Sequence, residues 1–128
     1  MIFPVAGNVG LGAAKAVQNA DTAAGSDKVN MLWVDTDGCV SAAQYCKYFL
    51  SSVTKGIQAA VKNAVLSAAN GSFKGGDYIG DLANDGVVLS PFHDFSSKVS
   101  ASVQSQLTKI KAEIISGQIK PATKSPVS

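Results

Sequence analysis

The sequence contains no arginine, so all eleven of its basic residues are lysines, and it has only one histidine and one glutamate. Without guanidinium groups the chain cannot bind phosphates or guanine edges bidentately, and its lysines are scattered along the sequence. Glu113 is the only glutamate, so a catalytic pair of carboxylates is poorly supported. The sequence also indicates no nucleophile for which His93 could act as the general base. We therefore expect neither a nucleic-acid partner nor an enzyme.

Cysteine is also scarce, since the chain has only Cys39 and Cys46, seven positions apart. That spacing is not the one of a C-x-x-C redox pair. Two thiols with a histidine far away in sequence do not make a zinc site, so we expect no metal. Two interpretations of the cysteines stay open: a local disulfide, if the chain works outside the cytosol, or two buried thiols.

Long apolar runs are absent as well, and none approaches the roughly 20 residues that span a bilayer. The first residues lack the basic start of a secretory signal. The 128 residues are enough for one small domain. A hydrophobic fraction of 46% with 16% charged residues argues against a disordered chain.

Strand and helix patterns alternate along the chain, which predicts an α/β fold with a mostly parallel sheet. Strand patterns cover residues 2–6, 29–34, 49–54, 77–82 and 87–90, and the last two are predicted to form a hairpin around residues 83–86. Helical patterns cover residues 11–20, 57–68 and 98–116, with a short helical or irregular stretch at 41–47. Residues 121–128 are expected to form a flexible tail.

A glycine-rich turn at residues 7–12 follows the first strand pattern and precedes the first helix. Such a turn can present backbone N–H groups to an anion. Its order is G-x-x-G-x-G rather than the G-x-G-x-x-G of dinucleotide folds, and Asp35 fits the expected acidic position poorly. We favour a turn that lines a ligand cleft, and we keep a dinucleotide-binding oxidoreductase fragment as a less favoured alternative.

Asp35 and Asp37 follow the second strand pattern, at the carboxyl end where open α/β sheets bind ligands. A carboxylate there can accept two hydrogen bonds from the vicinal hydroxyls of a sugar. We expect Asp35 to bind the ligand and Asp37 to cap the next helix. Lys55 ends the third strand pattern and could pair with Asp35, although spacing alone favours a solvated surface lysine. Residues 91–95 are predicted to form a loop anchored by its two aromatic rings.

Six segments, taken together and in order, resemble the basic membrane lipoprotein (PnrA-like) family. They read IFPVAGNVGLG at 2–12, WVDTD at 33–37, SSVTK at 51–55, GSFKGGDY at 71–78, VVLSPFHDF at 87–95 and EIISGQIK at 113–120. The match in order and spacing extends to about residue 121. Each motif alone is modest, but six in register are specific.

The resemblance implies the substrate-binding component of an ABC importer, with a type I periplasmic-binding-protein fold and a purine nucleoside bound between two lobes. It implies that Phe3 stacks on the nucleobase, that Asp35 and Lys55 bind ribose hydroxyls, and that Gly7 lines the cleft. The interpretation of Lys55 as a plain surface lysine is thereby reversed. The full-length parent would be periplasmic or anchored to the cell membrane by a lipid absent from this chain, would deliver its ligand to an ABC permease, and would need no cofactor.

Family members are much longer, so residues 1–120 are expected to be the C-terminal part of such a protein. Residues 1–55 would belong to the C-lobe, 56–90 would return to the N-lobe, and 91–120 would bring the final helix to the C-lobe. The second stacking aromatic and the acidic residue that reads the base would lie outside the chain. We expect apolar faces to stay exposed and nucleosides to bind weakly or not at all, and a truncated non-binding remnant is the alternative.

Overall fold

The computed structural model describes residues 1–121 and shows a mixed α/β fold, in which helices flank a small three-stranded sheet. The chain divides into two compact units, the first covering Met1–Lys98 and the second beginning at Val99. All three strands belong to the first unit. The predicted α/β class is confirmed, whereas the sheet has one parallel and one antiparallel pairing rather than a mostly parallel order.

The strands follow one another across the sheet in chain order. They are β1 (Met31–Asp35), β2 (Phe49–Lys55) and β3 (Val87–Leu89). In the parallel pairing of β1 with β2, Trp33 lies opposite Ser52 and Asp35 lies opposite Thr54. The last residues of β1 and β2 therefore reach the same edge of the sheet.

The described residues contain four α-helices: α1 (Gly10–Ala24), α2 (Gly38–Ser41) and α3 (Ile57–Ala69) in the first unit, and α4 (Ala101–Ile115) in the second. Short 3₁₀ segments lie at Gly7–Val9, Ala43–Tyr48 and His93–Phe95. The long helices agree with the periodicity of the sequence. In the second unit, the Ser100 hydroxyl accepts from the Val103 N–H at 3.3 Å, and Gly117 follows α4 with a φ of 78°.

The core of the first unit lies where α1 and the segment 42–49 pack on one face of β1. Its buried members are Ala14, Val17, Met31, Trp33, Ala42, Tyr48 and Phe49. The rings of Trp33 and Phe49 are tilted, with centroids 5.0 Å apart. Gly38 starts α2 so close to the core that an added Cβ would lie 2.6 Å from the Phe49 ring and 2.9 Å from the Trp33 Cβ. The absence of a side chain at Gly38 thus allows α2 to pack on the core.

The predicted first strand is wrong beyond a single residue. Ile2 pairs with Met31 through two hydrogen bonds, from the Ile2 N–H to the Asn30 carbonyl and from the Leu32 N–H to the Ile2 carbonyl. The next donor of a parallel ladder would be residue 4, which is proline and has no N–H. The pairing therefore stays an isolated bridge beside β1.

The predicted hairpin of residues 77–82 with 87–90 is also wrong. The Asp81 carboxylate accepts from the N–H groups of Ala83 and Asn84, and the Asn84 side-chain oxygen accepts from the N–H of Asp81. The Asn84 side chain thereby occupies the Asp81 N–H, which a hairpin ladder would need, although the Val87 N–H does donate to the Asp81 carbonyl at 3.1 Å. Residues 77–82 do not form a strand, and β3 pairs with β2 in antiparallel fashion instead.

Helix α3 has an exposed apolar surface. Ile57 is 60% exposed, Val61 is 55% exposed and Val65 is 60% exposed, and no residue of α3 is buried. Burial of such side chains normally contributes about 1.5–3 kcal/mol each, and α3 gains little of it here. Among residues 1–121, no helix has the length and apolar character that a membrane span requires.

Candidate functional site

The carboxylate of Asp35 and the ammonium of Lys55 meet at the carboxyl edge of the sheet. The Lys55 Nζ lies 2.7 Å from the Asp35 Oδ1. The contact follows from the parallel register, because Asp35 lies opposite Thr54 and Lys55 is the next residue. The side chain of Asp35 is 39% exposed and that of Lys55 is 59% exposed, so a ligand can reach the pair from solvent.

Asp35 occupies a tight turn with an unfavourable backbone conformation. Its φ is 72°, and the Thr36 N–H donates to the Val34 carbonyl at 2.9 Å, so Asp35 is the central residue of a γ-turn. A non-glycine residue in such a conformation costs about 1–3 kcal/mol, and such residues cluster at functional sites. The turn ends β1 and holds Asp35 at the sheet edge beside Lys55.

Gly7 lies on the other side of the Asp35 carboxylate. Its φ is 51°, and a Cβ added to it would lie 4.0 Å from the Asp35 Oδ2. A side chain at Gly7 would therefore cover the carboxylate oxygen that Lys55 does not contact. The structure thus brings Gly7, Asp35 and Lys55 together at one edge of the sheet.

Phe3 lies farther back on the same segment. It follows Ile2, which pairs with Met31 at the start of β1, so its backbone lies about three strand residues, roughly 10 Å, before the level of Asp35. Its side chain is 44% exposed. Phe3 is thus placed near β1 but set back from the cluster of Gly7, Asp35 and Lys55.

A second cluster lies next to the first, after the γ-turn. The His93 Nε2 lies 2.8 Å from the Asp37 Oδ2, and the Asp37 Oδ1 accepts from the Cys39 N–H at 3.0 Å. Asp37 therefore caps α2, as predicted, and also binds a histidine that is 56 positions away in sequence. The side chain of His93 is 31% exposed and that of Asp37 is 22% exposed.

The two cysteines are joined as a disulfide, which is one of the two interpretations that the sequence leaves open. Their Cα atoms are 4.5 Å apart, and the bond ties α2 to the 3₁₀ segment before β2. Metal-binding atoms of Asp37, Cys39 and His93 all lie within 4.8 Å of one another. In this form the Cys39 sulfur is bonded to Cys46, so it is neither a thiolate ligand nor a nucleophile.

Sequence reasoning missed the approach of His93 to α2. Buried serines hold the segment before His93 against β2. The Ser52 N–H donates to the Ser90 hydroxyl at 2.8 Å, and the Ser90 N–H donates to the Ser52 carbonyl at 2.8 Å. Ser52 in turn accepts from the Gly38 N–H at 3.0 Å. The two serines thus link the loop of His93 to the start of α2.

Comparison of the chain with models of known protein families and with curated proteins finds no match. The function proposed below therefore rests on two independent supports. One is the order of motifs along the sequence, and the other is the geometry of the Asp35–Lys55 cluster. The cluster is the stronger of the two, because it consists of specific contacts between residues from separate strands.

Proposed function

We propose that this chain is part of an extracytoplasmic substrate-binding protein of an ABC importer, and that Asp35 and Lys55 bind the ribose of a purine nucleoside. The observation that carries the proposal is the 2.7 Å ion pair between these two side chains. It lies at the carboxyl ends of two parallel strands, which is where open α/β sheets bind their ligands.

The chemistry of the pair suits a vicinal diol. A carboxylate has about four lone-pair positions, so a contact with Lys55 leaves Asp35 able to accept from two neighbouring hydroxyls. An ammonium has three donor protons, so Lys55 can donate to a hydroxyl oxygen while it holds Asp35. Hydrogen bonds to charged groups contribute about 1.5–3 kcal/mol each. The pair therefore discriminates a ribose from a 2′-deoxyribose, which has one hydroxyl fewer.

Gly7 and Phe3 complete the proposed site. The missing side chain at Gly7 leaves the Asp35 Oδ2 uncovered on that side. The exposed ring of Phe3 offers a flat apolar surface, and a base stacked on an aromatic ring gains about 1–3 kcal/mol.

We further propose that the small sheet is part of a type I periplasmic-binding fold, with residues 1–55 and 91–120 in one lobe and 56–90 in the other. The pairing of β3 with β2 would then lie where the chain returns from the second lobe to the first. The α/β class and the order of the six motifs support this assignment. The full-length parent would be periplasmic or lipid-anchored and would pass its ligand to an ABC permease. Recognition and release of a nucleoside need no bond making, so the proposal assigns no catalytic residue and no cofactor.

A second candidate is a remnant that binds no nucleoside and associates through apolar faces. The observation that favours it is the exposed surface of α3, where Ile57, Val61 and Val65 are each more than half exposed. Large exposed apolar patches promote association. Light scattering that grows with concentration, together with no response to nucleosides, is the result expected of this candidate.

The experiment is a titration of the ¹⁵N-labelled chain with adenosine, inosine and 2′-deoxyadenosine, followed by two-dimensional NMR. We expect saturable shifts at the amides of Gly7, Asp35 and Lys55 with the two ribonucleosides. Affinity should be weak, because the second half of the cleft is expected to lie outside the chain. The deoxynucleoside should bind roughly tenfold or more weakly, which corresponds to one lost hydrogen bond to a charged group.

Asp35→Asn and Lys55→Met should each reduce ribonucleoside binding. Asp27→Asn is the matched control, because Asp27 forms a longer 3.9 Å ion pair with Lys47 away from the sheet edge. The control should bind like the unchanged chain. Shifts that do not saturate, or that spread over residues unrelated to the cluster, would refute the proposal.

A further inference from the structure

Asp37, Cys39 and His93 bring three possible metal ligands together, and neither the resemblance nor the nucleoside site uses them as such. Ligand atoms of Asp37, Cys39 and His93 lie within 4.8 Å of one another, and the sulfur of Cys46 is bonded to that of Cys39. All four residues are half-buried, which limits but does not prevent access from solvent. One carboxylate, one imidazole and two sulfur atoms are the ligand types of structural zinc sites.

We propose that reduction of the Cys39–Cys46 disulfide converts this set into a four-coordinate Zn²⁺ site. A dithiol reductant supplies two electrons and two protons, so the S–S bond breaks, two thiols form, and the reductant becomes a cyclic disulfide. Zn²⁺ then binds both sulfurs as thiolates, and their two protons pass to solvent. The Asp37 Oδ2 and a ring nitrogen of His93 supply the remaining two ligands.

The geometry requires only small movements. Bonds of 2.0–2.3 Å in a tetrahedron place ligand atoms about 3.3–3.8 Å apart. The sulfurs must separate by less than about 2 Å, which side-chain rotation permits once the bond is broken, and the Cys39 sulfur must approach the Asp37 and His93 ligand atoms by roughly 1.5 Å at most. The His93 Nε2 and the Asp37 Oδ2, now 2.8 Å apart, must separate by roughly 0.5–1 Å.

Elements of the sheet hold the ligands in place in both states. The Asp37 Oδ1 caps α2 through the Cys39 N–H, which leaves Oδ2 directed to His93. The hydrogen bonds between Ser52 and Ser90 fix the loop of His93 independently of the disulfide. The cluster therefore alternates between a disulfide under oxidising conditions and a zinc site under reducing conditions. Zinc would slow reoxidation because it holds both thiolates.

The test uses the full 128-residue chain, reduced with a phosphine under anaerobic conditions and titrated with Co²⁺. We expect the visible absorption of four-coordinate cobalt together with a thiolate charge-transfer band, saturating at one ion per chain. Zn²⁺ should displace the cobalt. Competition with a chromogenic chelator should show that the reduced chain binds Zn²⁺ roughly 100-fold or more tightly than the disulfide form. Equal affinity of the two forms would overturn the proposal.

His93→Gln and Asp37→Asn each remove one ligand and should weaken Zn²⁺ binding by roughly tenfold or more. Asp94→Asn is the matched control, since Asp94 is next to His93 and exposed. An H93Q chain that binds zinc as tightly as the unchanged chain would also overturn the proposal. Circular dichroism checks that each reduced variant is folded.

If a variant unfolds, alkylation of the unchanged reduced chain decides instead. Iodoacetamide should label Cys39 and Cys46 more slowly with Zn²⁺ than without it. Equal labelling rates would contradict the proposed site.

Discussion

Replacement of Asp35 by glycine should leave a more stable protein than its replacement by alanine. Both changes remove the carboxylate and its ion pair with Lys55. They differ in the backbone, because a φ of 72° at position 35 strains alanine but not glycine. The comparison therefore isolates the conformational cost of the γ-turn from the loss of the side chain.

The size of the effect follows from two opposing terms. Relief of a non-glycine residue from this conformation contributes about 1–3 kcal/mol. Glycine loses about 0.5–1 kcal/mol through its greater freedom in the unfolded chain. We expect the free energy of unfolding of Asp35→Gly to exceed that of Asp35→Ala by about 1 kcal/mol, and by about 2.5 kcal/mol at most. The ion pair is lost in both variants, and as a largely exposed pair it contributes at most about 1 kcal/mol.

Urea unfolding monitored through Trp33 measures the difference directly. Trp33 is the single tryptophan and is only 5% exposed, so its fluorescence reports on the core. The midpoint for Asp35→Gly should be higher by about half a molar or more. At Asp27, which is not among the positive-φ residues, the order should reverse, with alanine above glycine. An Asp35→Ala chain as stable as Asp35→Gly would refute the γ-turn argument.

Two further stability predictions follow from the packing around β2. Gly38→Ala should destabilise the fold by about 1–3 kcal/mol, because the added Cβ would lie 2.6 Å from the Phe49 ring. Gly12→Ala is the control and should be neutral or stabilising, because no atom lies within 4 Å of its added Cβ. Thermal unfolding of the two variants compares their stabilities. Ser90→Ala should lower the free energy of unfolding by about 1–3 kcal/mol, because it leaves the buried Ser52 N–H without its acceptor at 2.8 Å. Hydrogen exchange at the Ser52 amide should accelerate. An unchanged exchange rate would contradict the hydrogen bond between Ser52 and Ser90.

The sequence could predict the elements that local patterns determine. Apolar periodicity indicated α1, α3 and α4, and short apolar runs indicated β1 and β2. Their parallel order also suggested that Asp35 and Lys55 could meet, because the carboxyl ends of adjacent parallel strands share one edge. The contact at 2.7 Å agrees with that suggestion.

Features that depend on single backbone groups or on long-range contacts could not be predicted. The missing N–H of Pro4 limits the first strand to a bridge, and side-chain bonds of Asp81 replace the predicted hairpin. A pattern of apolar and polar residues reports neither a missing backbone N–H nor a side chain that binds the local backbone. The contact of His93 with Asp37 spans 56 positions and depends on where β3 pairs, so spacing alone left the two clusters unrelated.

The central claim is that Asp35 accepts hydrogen bonds from ribose hydroxyls. The most direct measurement is the ratio of the dissociation constants of 2′-deoxyadenosine and adenosine, determined by NMR titration for the unchanged chain and for Asp35→Asn. We predict a ratio of roughly ten or more for the unchanged chain and close to one for the variant. A ratio near one in both chains, or the same large ratio in both, would contradict the account.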